Sequence, residues 1–278
     1  MNFSIATRDE LWIHGRLVER RLSHGHSFED ERGIHAADTR DAALVAACDA
    51  AMDELHAFIV QDARTHLVAE ASSVDGVSRT IVVTLGDRSV VTAPDRCAHD
   101  LALLRSAGQG DAAPRPLPFV WKHGTAAVLL HEVIGHPLEH EQASVELPPW
   151  LTVDVPLKLR RASFKDVPLL RMTDVIARQS GAPFAMPEQR IEIVLVDGGA
   201  YDPLTESVTL RIAAADLVEG DRTRAMAPFT IHETRETLAR SITGATGETL
   251  RYPGVICSRE GQELVVGSFA PVLLTELR

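Results

Sequence analysis

Two histidines and a glutamate fall within six residues of this chain: His131, Glu132 and His136, directly after the apolar run Ala126 to Leu130. Imidazole nitrogen binds zinc well, and a catalytic zinc site takes three protein ligands and keeps a further position for water. His131 and His136 are candidates for the first two ligands. Glu132 sits between them in sequence and is left free to take a proton from that water. The chemistry these residue types point to is metal-dependent hydrolysis.

The spacing is unusual. In His-Glu-x-x-His the histidines are four apart, so a regular helix presents both on one face. Here they are five apart, which leaves them about 140° apart around a regular helix. Both reach one ion if the helix ends between them or widens into a π-type turn. Gly135 and Pro137 flank His136 and suit an ending, because glycine accepts unusual dihedrals and proline cannot continue the hydrogen-bond ladder. The expectation is that His131 and Glu132 occupy the last turns of a helix and that His136 sits where the chain leaves it. On spacing alone, a helix-end histidine near an unrelated loop histidine would look the same.

The wider sequence adds to this. Leu129, Leu130, His131 and Glu132, then Gly135 and His136, then Leu138 and Glu139 resemble the signature of the TldD/PmbA family of metallopeptidases. That family carries an HExxxH motif and takes its third zinc ligand from a cysteine near the C-terminus. Cys257, Gly261 and Gln262, followed by Val265, Val266, Gly267 and Pro271, look like the family's Cys-Gly-Lys-x-Gly-Gln segment and the short strands after it. Val196 to Gly199, Asp202 to Thr205 and Val208 to Leu210 are similar to its glycine-bearing turn and following strand. The resemblance spans residues 30 to 278 and is most specific at its two ends.

What the resemblance implies is a zinc endopeptidase acting on unfolded or flexible peptides. Its metal ligands are His131, His136 and Cys257 and its general base is Glu132; Glu139, which matches the motif, either supports a ligating histidine or is a solvent-facing carboxylate. Subunits of the family pair, so a homodimer or a heterodimer with a related chain is expected. The chain departs from the pattern where His140 and Glu141 replace the family's Gly-Asp, and the segment between motif and cysteine is short. Peptide deformylase also combines two histidines, a cysteine and a glutamate, but there the histidines are four apart and the cysteine precedes them. The main alternative is a catalytically silent, peptide-binding partner whose metal site is structural or empty. A structural site needs ligands but no base, so Glu132 speaks against it.

Composition bounds the remaining classes. A chain of 278 residues with 45% hydrophobic and 24% charged residues is ordinary globular material with ample core. Its net charge of −11 argues against nucleic acid as a partner, because phosphate binding needs a basic surface. No stretch approaches the roughly 20 apolar residues that span a bilayer, so no membrane partner is expected. The first ten residues are too charged for a secretory signal. Cys48, Cys97 and Cys257 are odd in number and unrelated in spacing, which fits a reducing compartment, and the cytoplasm is the expected location.

The elements that must position the site read as an α+β fold. An N-terminal α/β unit, residues 1–110, precedes a β-rich catalytic domain, residues 111–278, that carries the metal-binding helix. Leu44, Cys48, Met52, Leu55 and Ile59 recur at helical steps and predict an amphipathic helix from Ala42 to about Arg64. Thr80 to Thr92 reads as two strands joined at Gly86 and Asp87. Ser106 to Pro118 is the expected linker, with the metal-binding helix starting near His123 or Gly124. Beyond Arg190 short strands are predicted at Ile191–Val196, Val208–Ile212, Phe229–His232, Leu264–Val266 and Val272–Thr275, with one helix at Thr234–Ile242. The sheet they form is expected to be mixed or antiparallel and barrel-like.

Overall fold

The first 36 residues, whose polar sequence announces no strand, form three: β1 (Asn2–Ile13), β2 (Arg16–Asp30) and β3 (Gly33–Ala36). What fixes them is pairing. β1 runs antiparallel to β2 on one side and to β4 (Arg64–Ser72) on the other. β5 (Gly76–Leu85) and β6 (Arg88–Thr92) complete an antiparallel sheet in the order β3-β2-β1-β4-β5-β6. The turn between β5 and β6 falls where predicted, with Gly86 at φ 65°. A helix α1 (Ala42–Leu55) packs on β1, β4 and β5. The rest of the expected helix falls on residues 56–63, outside the described residues, and the residue expected to end it, Arg64, opens β4.

The computed structural model describes residues 2–13, 16–30, 33–36, 42–55, 64–72, 76–86, 88–93, 96–107, 116–161, 168–181, 184–259 and 262–277. Most of the expected linker, residues 108–115, lies outside these, as does the Cys48 side chain. The chain divides into two units. One comprises Met1–His99, Lys158–Arg171 and Ile256–Leu264; the other comprises Asp100–Leu157, Met172–Val255 and Val265–Arg278. Among the described residues no helix is long and apolar enough to cross a membrane.

After α2 (Cys97–Ser106), whose Cys97 is a buried free thiol, come β7 (Phe119–Trp121) and α3 (Ala126–Leu130). A π turn over His131–Gly135 and a short α4 (His136–Glu139) follow. The strands after them are β8 (Leu151–Asp154), β9 (Leu157–Arg161), β10 (Pro168–Met172) and β11 (Asp174–Gln179). Next are β12 (Gln189–Asp202), β13 (Ser207–Glu219), β14 (Arg222–Ala225) and β15 (Phe229–Thr234). Helix α5 (Arg235–Ser241), β16 (Ile242–Arg259) and β17 (Gln262–Thr275) end the chain. Thr234 caps α5 by accepting from the Thr237 N–H, as a threonine at that position should. The two predicted strands at 264–266 and 272–275 are one continuous strand, β17.

The large sheet is mixed. Its order is β14-β13-β12-β7-β17-β11-β8, with β15 on β13 and β16 on β17. β7 lies parallel to β12 and antiparallel to β17. Among the described residues the sheets do not close, so the barrel expected from sequence is corrected to an open mixed sheet. Phe119, Val120, Trp121, Ile191, Ile193, Leu195, Leu210 and Leu273 form its buried interior. α3 packs against β11 and β12, and all five of its residues are buried. A helix apolar on every side has to be enclosed, and this enclosure fixes where the following histidine and glutamate emerge.

Candidate metal centre

The helix neither ends nor stays regular between the two histidines. The His136 N–H bonds the His131 carbonyl, five residues back, and this single wide turn stacks residues five apart. The two imidazole rings meet edge-on with centroids 4.8 Å apart. The expected exit at His136 is thus corrected: the chain makes one more helical turn. Pro137 is tolerated because it falls in the first turn of α4, where a missing N–H costs little. Gly135 serves packing, since a Cβ there would stand 2.6 Å from Met172 Sδ. The helix stops later, at His140. Glu141 takes a left-handed φ of 56°, Gln142 N–H bonds the Pro137 carbonyl, and Glu141 N–H bonds that of Leu138. This is a Schellman ending without its usual glycine.

Glu139 is buried, and both its oxygens are engaged. Oε1 accepts from the Met172 N–H at 2.7 Å, and Oε2 accepts from His136 Nδ1 at 3.0 Å. A carboxylate can only accept, so this bond assigns the imidazole proton to Nδ1 and leaves Nε2 as the unprotonated ring nitrogen. That is how carboxylates orient ligating histidines. Nε2 then lies 3.6 Å from Glu132 Oε2. Glu132 is 2% exposed, and its Oε2 accepts no hydrogen bond among the described residues. Two acceptors facing each other at this range need a positive species between them. Without a metal that species is a proton: burial pushes the Glu132 carboxyl up to about 7, against the lowering influence of His136 and Arg211 and with a further rise from Glu139. A cation would serve the same purpose and hold Glu132 ionised.

His131 is fully buried. Cys257 is a buried free thiol on β16, and the buried Arg171 donates from Nη2 to its Sγ at 3.1 Å and to its carbonyl at 3.0 Å. The ligand atoms of His131, His136 and Cys257 all lie within 4.8 Å of one another and could hold a metal ion. Donors around a tetrahedral zinc stand roughly 3.3–3.7 Å apart, given bonds of about 2.0–2.3 Å. The donor chemistry, two imidazoles and a thiol, fits zinc. His140 has its ring 6.3 Å from that of Tyr201, while His232 is exposed and hydrogen-bonded to Thr209. Neither joins the group. His123 is exposed and takes a left-handed φ of 55° in the turn before α3.

The opposite wall of the site is β12. Its register against β13 slips between Ile193 and Gly198, and such bulges re-aim a strand next to functional sites. Tyr252, buried on β16, fills the irregularity: its hydroxyl accepts from the Val196 N–H at 3.1 Å and donates to the Val196 carbonyl at 2.9 Å. Tyr252→Phe is expected to leave both backbone groups unsatisfied and to cost about 1–3 kcal/mol, measured as a lowered midpoint in denaturant. Just beyond, Gly199 lies directly against the Glu132 side chain. The sequence signal for this was available in the pair Gly198-Gly199 inside a strand, which marks a bulge or a close approach. Arg171, Met172 and Tyr252 carry no such signal.

Comparison with known proteins is sparse. No family model and no curated protein matches the sequence. Among solved structures, TldE from Thermococcus kodakarensis is similar over 99% of this chain and 96% of its own, at 10% identity and a TM-score of 0.45. A candidate modulator of DNA gyrase from Bacteroides thetaiotaomicron matches over 99% and 94%, at 12% identity and 0.46. Another from Thermotoga maritima matches over 99% and 94%, at 10% and 0.47. At this distance the chemistry of the site stands on its own side chains.

Proposed function

We propose that the chain is a zinc-dependent peptidase. His131, His136 and Cys257 would hold the ion, which when bound supplies Lewis acidity to a water molecule and to the peptide carbonyl. Glu132 Oε2 takes the proton of the attacking water and delivers it to the departing amide nitrogen. Glu139 keeps the His136 proton on Nδ1, so that Nε2 stays a ligand. The observation that carries the reading is Glu132 itself: a buried carboxylate oxygen with no hydrogen-bond donor among the described residues, 3.6 Å from Nε2 of a candidate ligand. A structural zinc site has no use for such a group. Flexible or unfolded peptides as substrates, and pairing with a second copy or a related chain, rest on the sequence resemblance; light scattering reads the pairing directly.

The test is elemental analysis beside peptide cleavage. Wild type and Glu132→Gln should each carry about one zinc per chain, and Cys257→Ala should lose it. Cleavage of an unstructured fluorogenic peptide should fall by about 10²–10⁴-fold in Glu132→Gln. No zinc in any sample after reconstitution would sink the peptidase reading and leave the silent partner.

A further inference from the structure

Arg171 and Met172 are consecutive at the end of β10, and each reaches a different member of the metal group. The Met172 N–H bonds Glu139, which in turn accepts from His136 Nδ1. The Arg171 side chain is fully buried, and its Nη2 donates to two acceptors of Cys257, the carbonyl oxygen at 3.0 Å and Sγ at 3.1 Å. One nitrogen shared by both atoms ties the cysteine side chain to its own backbone. Of the staggered positions open to the sulfur, it selects the one beside that carbonyl. Two residues further along β16, Arg259 donates from Nη1 to the Leu170 carbonyl at 3.2 Å. Reciprocal arginines therefore join β10 to β16, and the bonds from Arg171 include the sulfur. A metal-bound cysteine is a thiolate, with lone pairs for an ion and for an N–H at once. The guanidinium stays charged and its N–H groups are fixed in one plane, so its bond to a thiolate is charge-assisted and directional. Such a bond holds the donor atom in place, as Glu139 does for His136, and draws negative charge from it.

We propose that Arg171 is the positioning residue of Cys257: it fixes the sulfur in its ligating rotamer and tempers the sulfur's donor strength toward the ion. The proposal rests on the His131, His136 and Cys257 metal set of the reading above, and not on the cleavage of any substrate.

Cobalt(II) enters the same nitrogen and sulfur sites as zinc and makes the sulfur visible through a sulfur-to-cobalt charge-transfer band in the near ultraviolet. Cobalt-loaded wild type should show that band. In Arg171→Met it should move to lower energy, because the sulfur regains charge, and cobalt should bind about 10–100-fold more weakly. Arg171→Lys keeps the charge without the planar fork and should restore part of both. Arg259→Met, which loses the companion bond to Leu170, should lower stability in denaturant and leave the band where it is. Circular dichroism shows which variants are folded. Should Arg171→Met not fold, wild type loaded with a cadmium isotope of non-zero nuclear spin reads the same bond, as a scalar coupling between the metal and an Arg171 guanidinium proton. An unmoved band in folded Arg171→Met, or no such coupling in cadmium-loaded wild type, makes Arg171 a support of the β16 backbone alone and overturns the proposal while the metal set stands. No sulfur band in cobalt-loaded wild type overturns the metal set, the peptidase reading built on it and this proposal together.

Discussion

Gly199→Ala is expected to lower peptide hydrolysis by about 10²-fold or more while leaving the protein folded. An added Cβ would stand 2.5 Å from Glu132 Oε1 and 2.6 Å from Cδ, far inside van der Waals contact. Gly199 does not have the positive φ that Gly198 has, so its backbone accepts alanine and the conflict is with the Glu132 side chain, whose Cγ would stand 2.4 Å away. Displacing a reacting group by about an ångström costs on the order of 10²-fold in rate. Overpacking of this kind costs about 1–3 kcal/mol of stability. Gly198→Ala is the instructive contrast: at φ 149° it strains the backbone, and its Cβ meets Arg211 Nη2, the movable end of a long side chain. It should lower the melting temperature and spare more of the turnover number. Measuring kcat, zinc content and thermal midpoint for both variants separates the two effects. Full activity in Gly199→Ala would mean that Glu132 need not occupy its present position, which removes it as the base.

The contrast between these glycines also marks what the sequence could convey. His131, Glu132 and His136 were legible from type and spacing, and the wide turn was one of two geometries the five-residue interval allowed. Choosing between them was out of reach, because Gly135 and Pro137 suit a helix ending as well as they suit the π turn. Met172, 37 residues away by number, takes the room above Gly135, a contact that no local signal announces. Local signals served well where the elements were local: Thr234 capping α5, the turn at Gly86, the apolar runs of β12 and β13. They failed for β1 to β3, whose polar sequences are held by strand pairing, and for β17, which runs through Gly267 and Pro271 unbroken. Tyr252 satisfying Val196 across 56 positions, and Arg171 reaching Cys257 across 86, leave no trace in periodicity.

Glu139 allows the arrangement around His136 to be tested atom by atom. Glu139→Ala should weaken zinc binding by about 10–100-fold, the usual cost of losing a carboxylate behind a ligating histidine. It should also destabilise the fold by about 1–3 kcal/mol, because the buried Met172 N–H loses its acceptor. Glu139→Gln separates the two losses. Its volume is the same, but glutamine offers one oxygen where two donors, Met172 N–H and His136 Nδ1–H, each require one. With the oxygen on Met172, the amide nitrogen faces Nδ1 and favours the tautomer whose proton sits on Nε2, the nitrogen needed for metal. Stability should then stay close to wild type while zinc affinity drops nearly as far as in the alanine variant. Chelator competition gives the affinities, denaturant unfolding of the metal-free protein gives the stabilities, and nitrogen chemical shifts of His136 report the tautomer. If both variants bind zinc as wild type does, Glu139 holds the helix turn to Met172 and has no part in orienting a ligand. If affinity falls in step with stability in both, the effect is loss of fold. Only affinity lost without stability, in Glu139→Gln, assigns the carboxylate to the histidine and the histidine to the metal.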